Sequence, residues 1–386
     1  MGLNRNGLHG VLRMSVLPAA GRAAECAELQ INLRAIADNY QTIKKRYKGR
    51  TCGAVVKADA YGLGAQTIVP VLKKQGCRLF FVAQANEAAD LFPLLRGGGR
   101  IAVLNGVLPG DEEFFIENDV IPVLNDLGQI ERWSNLCREH ERPAPAFIHL
   151  DTGMNRLGLA PREIGELVDR YSSLLYGFEK AGYMTHPAAA DEAENPVTAE
   201  QYELFMKWYR RLPPAPRGFC NSSAIFRNND YHLEFCRPGF ALWGGNPTPE
   251  TTNPMRPVVK LTAKVLQTRQ IDAGEAVGYG NTWRAERASR IATIAVGYAD
   301  GWLRSLSNAG KVRIKGHEVP YVGRVSMDAI SIDITDLPGK PLQPGDMIPL
   351  IDDKMTVDDI ASAAGTIGYE VLTSLGHRYR RVYTES

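Results

Sequence analysis

The chain has 386 residues, a formal net charge of +2 and 44% hydrophobic residues. This length exceeds the size at which one hydrophobic core stops growing, so two domains are predicted. The charge is nearly balanced, and basic residues occur only in short groups such as 44–46 and 378–381. A nucleic-acid partner is therefore not expected.

The cysteines, the apolar runs and the N-terminal segment bear on the compartment. The six cysteines contain no CxxC pair, so neither a disulfide framework nor a metal site is predicted. No apolar run approaches the ~20 residues of a membrane helix. Arg13 and Pro18 interrupt the apolar stretch near the N-terminus, which argues against an export signal. We expect a cytoplasmic protein without a membrane partner.

Helices and strands alternate from about residue 30 onward. The stretch "INLRAIADNYQTIKKRYK" has apolar residues at helical spacing, and "GAVVKA" follows as a buried strand. The same alternation continues through the predicted strands "RLFFVAQA", "RIAVLNG", "VIPVLND", "APAFIHLD" and "YGFEKAGYMTH". The helices between them include "NEAADLFPLLRGG", "LGQIERWSNLCREH", "PREIGELVDRYSSL" and "TAEQYELFMKWYRRL".

Repeated βα units predict a parallel sheet, and about eight strands suit a (β/α)8 TIM-type barrel better than an open sheet. We assign residues 26–258 to this barrel and residues 1–25 to a flexible N-terminal extension. The pattern changes after residue 258. The stretch "VVKLTAKVLQTRQI" alternates apolar and polar residues with period two, and "RIATIAVGY", "KVRIKGHEVPYVG" and "DAISIDIT" continue the alternation. Residues 259–386 are therefore predicted to form a β-rich domain.

A lysine lies where a catalytic amine would be expected. Lys57 ends the strand in "GAVVKADAYGLGA", and the carboxyl ends of barrel strands are where active sites gather. An apolar environment disfavours the charged amine, which makes the lysine a nucleophile toward carbonyl groups. The partner in the resulting Schiff base could be a sugar, a keto acid or the aldehyde of pyridoxal phosphate. A lysine at a strand end is also typical of a solvent-exposed edge.

Three segments could bind a phosphate. Tyr61 lies beside two glycines, Ser222 follows a predicted strand in "CNSSAIF", and Gly239 follows another in "CRPGFALWGG". Late βα loops of barrels often bind phosphate. Each segment has an ordinary alternative, because serines after strands commonly cap helices.

Taken together, the motifs resemble those of bacterial alanine racemase. They are "AVVKADAYGLG", "HLDTGMNRLGL", "YMTHPAAADE", "CNSSAIF", "RPGFALWGG", "VGYGNTW", "VGYADGW", "GRVSMD" and "GTIGYEV". The resemblance spans about residue 28 to the C-terminus and implies pyridoxal phosphate as cofactor, a barrel with a C-terminal β domain, and interconversion of L- and D-alanine. The family uses this reaction to supply D-alanine for peptidoglycan or to break down L-alanine, and the resemblance does not choose between the two roles.

The resemblance also implies residue roles. Lys57 would hold the cofactor and act as base on the D face, while Tyr279 would act on the opposite face. Racemisation needs one base on each face of the planar carbanion. His186 and Arg237 would link that tyrosine to the ring nitrogen of the cofactor. Because arginine keeps its proton, it would leave this nitrogen unprotonated and limit side reactions.

The remaining implied contacts concern the phosphate and the substrate. The phosphate ligands would be Tyr61, Ser222, Gly239 and Phe240. The substrate-site residues would be Arg156, Met327 and Tyr298. In this family the β domain of one subunit completes the active site of the other, so the resemblance implies a homodimer with Tyr279, Tyr298 and Met327 acting across the interface.

Two positions depart from the family pattern. His149 stands where many members have a carbamylated lysine that orients the arginine, so another group must orient Arg156. His377 stands where some members have a phosphate-binding tyrosine, and Tyr379 lies two positions away. Three alternatives stay open: a racemase for another small or basic amino acid, a decarboxylase on the same fold, and a non-catalytic pyridoxal-phosphate-binding protein. Pocket size alone discriminates weakly between substrates that differ by a methylene.

Overall fold

The computed structural model describes residues 25–385. The predicted N-terminal extension lies outside the described residues apart from Glu25. The strands are β1 (Ala27–Asn32), β2 (Thr51–Cys52), β3 (Ala54–Val55), β4 (Leu79–Val82), β5 (Arg100–Val103), β6 (Ile121–Leu124), β7 (Pro145–His149), β8 (Glu179–Met184), β9 (Arg217–Gly218), β10 (Phe235–Cys236), β11 (Val259–Ile271), β12 (Ala276–Val277), β13 (Trp283–Arg284), β14 (Ser289–Ile294), β15 (Lys311–Ile314), β16 (His317–Pro320), β17 (Ile330–Asp333), β18 (Met347–Ile351) and β19 (Arg380–Thr384).

The α-helices alternate with the early strands and reappear near the C-terminus. They are α1 (Leu33–Arg46), α2 (Lys57–Gly62), α3 (Ala65–Lys74), α4 (Ala85–Leu95), α5 (Glu112–Glu117), α6 (Leu127–Glu139), α7 (Pro161–Asp169), α8 (Val197–Tyr209), α9 (Ser222–Arg227), α10 (Val357–Ala364) and α11 (Gly368–Ser374). Across residues 25–385, no helix combines the length and apolar character needed to cross a bilayer.

Parallel strands form the predicted barrel. Strands β3 to β9 are hydrogen-bonded in chain order, and β10 pairs in parallel with β2. Two backbone hydrogen bonds close the circle: Val55 N–H donates to Pro238 O at 2.8 Å, and Arg237 N–H donates to Cys220 O at 2.9 Å. The TIM-type barrel predicted from the βα alternation is confirmed. Its closure brings the ends of the first and last strands to one mouth.

The first helix shows how the sequence builds the barrel wall. The Asn32 side chain caps α1 by accepting a hydrogen bond from Ala35 N–H at 2.9 Å. The helix buries Ile36, Tyr40 and Ile43, which recur at helical spacing. The Tyr40 hydroxyl donates to Cys52 O at 2.8 Å, which fixes the helix against β2. This contact sets the position of the strand segment that leads to Lys57.

Aromatic side chains fill the barrel interior. The ring centroids of Phe147 and Phe235 lie 5.1 Å apart, and Phe81 lies 5.8 Å from Phe147. A Cβ atom on Gly218 would lie 2.2 Å from the Phe235 ring, so only glycine leaves room there. The barrel is therefore a packed core, and the space for a ligand lies at its mouth.

A six-stranded sheet forms the centre of the C-terminal half. Its order is β17-β14-β11-β1-β19, and β18 also pairs with β11. Val259, Leu261, Ala263 and Val265 are buried along β11, as the period-two pattern predicted. Residues 27–32, which the sequence placed with the barrel segment, form β1 and pair antiparallel with β11 and parallel with β19.

Candidate active site

An unusual backbone turn presents Lys57. Ala58 to Tyr61 all have positive φ values, between 51° and 57°, so this turn of α2 is left-handed. L-residues pay roughly 1–2 kcal/mol each in this conformation, and such strain concentrates at functional sites. Gly62 and Gly64 continue with φ of 81° and 97°. The turn places Lys57 at the end of β3 and brings the buried Tyr61 ring beneath the same barrel mouth.

One cavity gathers the barrel residues that were singled out from sequence. Its volume is about 530 Å³. Its wall includes Lys57, Tyr61, Arg156, His186, Ser222, Arg237, Gly239 and Phe240, together with His149. Glu370 is the one acidic residue among the described residues that line it. The cavity is thus suited to an anionic ligand.

Arg237 lies deep in this cavity without a carboxylate partner among residues 25–385. Its guanidinium donates to Gly218 O at 3.1 Å and to Thr185 O. Burial lowers the pKa of Arg237 to about 10, so the side chain stays charged at neutral pH. Both acceptors are neutral backbone carbonyls. The positive charge is therefore available to a ligand or to a second polar side chain.

Two histidines near Arg237 are held neutral. Burial lowers the pKa of His186 well below its usual value, and the Arg237 charge lowers it further. Burial, again assisted by Arg237, lowers the pKa of His149 to about 3. The His149 Nδ1 atom lies 2.9 Å from Asn125 Oδ1. Because the Asn125 amide group already donates to Leu104 O and Val123 O, His149 must donate from Nδ1 to Asn125. Its Nε2 atom is left as an acceptor.

Ser222, Gly239 and Tyr61 form a close-fitting pocket at one end of the cavity. The Ser222 hydroxyl oxygen accepts hydrogen bonds from Gly239 N–H at 3.0 Å and Ala241 N–H at 3.2 Å. A Cβ atom on Gly239 would lie 2.4 Å from the Tyr61 hydroxyl. Glycine is thus required for the tyrosine to reach this point. Because both N–H groups donate to Ser222, the groups left to donate to an anion here are the hydroxyls of Tyr61 and Ser222.

Tyr369 was not anticipated from the sequence. It lies in α11 of the C-terminal half and stacks on Phe240, with ring centroids 4.1 Å apart and an interplanar angle of 14°. Its centroid is 5.9 Å from that of Tyr61, and it lines the cavity. The motif "GTIGYEV" contained it, but the contact depends on how α11 docks against α2. Of the positions considered instead, His377 is exposed and Tyr379 is buried, and neither lines the cavity.

A loop after β7 carries Arg156. The Asp151 carboxylate accepts hydrogen bonds from the N–H groups of Gly153, Met154 and Asn155 at 2.9–3.2 Å. Asp151 N–H also donates to Leu159 O at 2.9 Å, which closes the loop. Arg156 thus projects over the cavity from a loop whose backbone is well defined by hydrogen bonds.

Three predicted residues of the C-terminal half lie away from the cavity of their own chain. Tyr279 is 71% exposed, Met327 is 53% exposed and Tyr298 is 43% exposed. They lie on neighbouring loops, since Tyr298 N–H donates to Ser326 O at 3.0 Å and the 278–280 turn lies against Arg324. A single chain does not bring them to Lys57.

Burial, together with the Arg156 charge, lowers the pKa of Lys57, and Glu87 opposes this effect. More of this amine is therefore unprotonated at neutral pH than in an exposed lysine. The fold and the cavity define a two-domain barrel protein with an amine, a guanidinium and two hydroxyl groups at one mouth.

Comparison with known proteins identifies the family. Residues 31–247 match the family model "Alanine racemase, N-terminal domain", and residues 258–383 match "Alanine racemase, C-terminal domain". The alanine racemase of Rhodospirillum rubrum is 46% identical over 358 residues, which cover 92% of this chain and 96% of the relative. A catabolic alanine racemase of Agrobacterium fabrum is also 46% identical, with 97% and 96% covered.

A solved structure agrees with these relatives. Alanine racemase from Bartonella henselae, with covalently bound pyridoxal phosphate, superposes with a TM-score of 0.90 at 42% identity. The match covers 93% of this chain and 99% of that one. The chain belongs to the alanine racemase family.

Proposed function

We propose that the protein is a pyridoxal-phosphate-dependent isomerase that interconverts L-alanine and D-alanine by a two-base mechanism. The observation that carries the proposal is one cavity in which Lys57 faces a buried, carboxylate-free Arg237 and an anion-binding pocket at Tyr61 and Ser222. The Bartonella relative, which has the same fold, contains covalently bound pyridoxal phosphate. This chain offers the groups that such a cofactor requires.

The residues present fit the cofactor. The pocket of Tyr61, Ser222, Gly239 and Phe240 would hold the phosphate, while Lys57 would meet the aldehyde. When bound, pyridoxal phosphate supplies an aldehyde that condenses with amines and a ring that takes up the electron pair left when an α-proton departs. Arg237 would donate a hydrogen bond to the ring nitrogen and keep it unprotonated, because a guanidinium does not release its proton at neutral pH.

Lys57 would remove or return the α-proton on one face. Its lowered pKa provides the unprotonated amine that a base needs at neutral pH. The other face requires a second base. The tyrosines lining the cavity within the chain, Tyr61 and Tyr369, are unsuited to this task because burial raises the pKa of both. We therefore assign the second base to Tyr279 of the partner subunit.

A homodimer with shared active sites follows from this assignment. The exposed group of Tyr279, Tyr298 and Met327 would dock against the cavity of the other subunit. The Met327 backbone and Arg156 would hold the substrate carboxylate, and Tyr298 would line the entrance. His186 would link Tyr279 of the partner subunit to Arg237 as a neutral hydrogen-bonding group. A closed two-fold assembly supplies each cavity with one such group.

Three alternative functions differ from the proposed one in the residue at the ring nitrogen, in the need for a second domain or in the substrate. A decarboxylase on this plan would place a carboxylate at the ring nitrogen, whereas Arg237 here has backbone carbonyls as its hydrogen-bond acceptors. A non-catalytic cofactor-binding barrel would have no use for a β-rich half that covers the cavity with Tyr369. A racemase for another amino acid is distinguished by its rates on different substrates, because small differences in side-chain size change binding only modestly.

The test is an assay of chirality and α-proton exchange in heavy water over a panel of amino acids. We expect alanine to racemise and exchange its α-proton fastest. Carbon dioxide release without racemisation would favour the decarboxylase, and faster exchange with serine or lysine would change the substrate. A visible absorbance band that disappears in Lys57→Ala is the accompanying check on the cofactor.

We also propose that the D-alanine supplies peptidoglycan. Deleting the gene should make growth depend on added D-alanine. The alternative is a role in alanine breakdown, because the relative from Agrobacterium fabrum is named as a catabolic alanine racemase. A deletion strain that grows without D-alanine but no longer uses alanine as a carbon source would assign a catabolic role instead.

A further inference from the structure

The Glu87 carboxylate connects the Lys57 turn to a neighbouring βα loop. Its Oε1 atom accepts a hydrogen bond from Ala58 N–H at 2.5 Å, directly after Lys57. Its Oε2 atom accepts from Ala83 N–H at 2.7 Å and Gln84 N–H at 3.0 Å, at the start of α4. One carboxylate therefore joins the loop that follows β3 to the loop that follows β4.

The Lys57 turn needs such support because its backbone is strained. Four consecutive non-glycine residues, Ala58 to Tyr61, hold left-handed angles. The far end of the turn is fixed by Asp59 Oδ1, which accepts from Ala65 N–H at 2.7 Å, and by Arg381, which donates to Gly62 O at 2.5 Å. Glu87 provides the corresponding contact at the lysine end. Strained segments persist only where surrounding contacts over-determine them.

The same carboxylate acts electrostatically on the amine. Desolvation and Arg156 lower the pKa of Lys57, whereas Glu87 raises it. The other titratable groups around this cavity are Tyr61, His149, His186, Arg237, Tyr369 and Glu370. Glu87 is thus the counter-charge that acts against two unfavourable influences on the protonated amine.

We propose that Glu87 is a positioning residue for the reaction: its carboxylate holds the left-handed turn at Lys57 through Ala58 N–H and acts as a counter-charge to the amine. This inference rests on the proposed function, because it assumes that Lys57 is the cofactor-binding amine. Glutamine cannot replace the carboxylate. Its two side-chain ends differ, so one of the two loops would face an NH2 group instead of an acceptor.

The chain offers a matched control in Glu163. Its Oε2 atom accepts from Ala160 N–H at 2.9 Å and its Oε1 atom from Leu127 N–H at 3.4 Å. It therefore also joins two βα loops at the start of a helix. Glu163 does not line the cavity and does not act on the Lys57 charge. Glu163→Gln removes a comparable set of contacts elsewhere in the barrel.

The experiment measures how fast pyridoxal phosphate generates the visible absorbance band with cofactor-free protein, from pH 6 to 10. In Glu87→Gln the midpoint of this pH profile should move to lower pH, because the counter-charge that favours the protonated amine is lost. The maximal rate should fall about tenfold, and amide hydrogen exchange across 58–64 should accelerate about tenfold, as expected for one lost charge-assisted hydrogen bond. Glu163→Gln should change none of the three.

A second variant separates the effect of the negative charge at position 87 from the effect of the length of the side chain. Glu87→Asp keeps the negative charge but is one methylene too short to serve both loops, so hydrogen exchange should accelerate while the midpoint stays near that of the wild type. If Glu87→Gln does not fold, hydrogen exchange in Glu87→Asp still tests whether the carboxylate holds the turn. A wild-type exchange rate in Glu87→Asp, or changes in Glu163→Gln equal to those in Glu87→Gln, would overturn the proposal.

Lys57→Ala distinguishes a failure of the proposed function from a failure of the role proposed for Glu87. If its visible band persists, Lys57 is not the cofactor amine and the proposed function itself falls. If the band is lost in Lys57→Ala but Glu87→Gln behaves like the wild type, only the role of Glu87 falls.

Discussion

The barrel and the C-terminal half prepare their functional residues in opposite ways. At the barrel mouth, Arg237 is buried, His149 and His186 are held neutral, and Lys57 lies on a strained turn. In the C-terminal half, Tyr279 is 71% exposed and belongs to a surface loop. Burial thus gives the barrel residues unusual charge states. In the homodimer proposed above, the exposed residues of the C-terminal half would instead dock against the cavity of the other subunit.

The largest effect is expected when the two proposed bases, Lys57 and Tyr279, are removed from different chains of one dimer. Lys57→Ala and Tyr279→Phe should each lower racemisation by about 100- to 10,000-fold, the usual range for a lost general base. A mixed dimer of the two variants contains one cavity with both bases. Random mixing should therefore restore about a quarter of the wild-type activity.

The measurement is alanine racemisation after the two variants are unfolded and refolded together, with each variant refolded alone as control. Tyr279→Phe should keep the visible band, whereas Lys57→Ala should lose it. No recovery in the mixture, despite formation of mixed dimers, would place both bases in one chain and contradict the shared active site.

A smaller effect is expected from reversing the charge of Arg237, the residue proposed to face the ring nitrogen of the cofactor. Arg237→Glu should lower racemisation by about ten- to a hundredfold, in line with a lost charged hydrogen bond, and should increase pyruvate formation from alanine. Pyruvate is the product expected when the ring becomes a stronger electron sink. Arg237→Lys keeps a positive charge and serves as the control. Unchanged pyruvate formation in Arg237→Glu would remove this guanidinium from the control of reaction specificity.

A modest effect should follow from changing Tyr369, one of the residues of α11 that line the cavity of their own chain. Tyr369→Ala removes the stack on Phe240 and should weaken cofactor binding about three- to tenfold, as expected for one aromatic pair. Tyr379→Phe is the control, because Tyr379 does not line the cavity. Equal weakening in both variants, measured by fluorescence titration with pyridoxal phosphate, would assign the loss to general instability.

The smallest change is expected in the pH profile of a His149 variant. Because burial and Arg237 lower the pKa of His149 to about 3, this imidazole is protonated only below that pH and stays neutral from pH 5 to 9. His149→Gln should therefore alter the rate but not the acidic midpoint of the alanine pH profile, which the proposed mechanism assigns to Lys57. A midpoint that moves in His149→Gln would show that His149 titrates in this range.

Much of the fold could be predicted from the sequence because its signals are local. Apolar periodicity gave the helices, short apolar runs gave the barrel strands, and the alternation from Val259 marked the β-rich half. The pairing of β1 with β11 and β19 carried no such signal, since a six-residue strand looks the same whichever sheet it joins.

The residues of the candidate site also differ in whether nearby sequence is enough to identify them. Lys57 was singled out because it ends an apolar strand beside a glycine-rich turn, but only the family motifs along the rest of the chain favoured a cofactor-binding role over a solvent-exposed edge. Tyr369 was missed because its stack on Phe240 joins two segments far apart in the chain. Glu87 was overlooked for the same reason: its bond to Ala58 depends on neighbouring βα loops that meet only in the closed barrel.

The pairing of β1 between β11 and β19 has a consequence for biosynthesis. Glu28 lies opposite Arg380, so residues near the two ends of the described chain are neighbours in one sheet. During translation, β1 is made before both of its partner strands. One edge of β1 can pair once β11 has been made, but its other edge stays open to wrong pairing until β19 has been made. The six-stranded sheet can therefore be completed only after residues 380–384 have been synthesised.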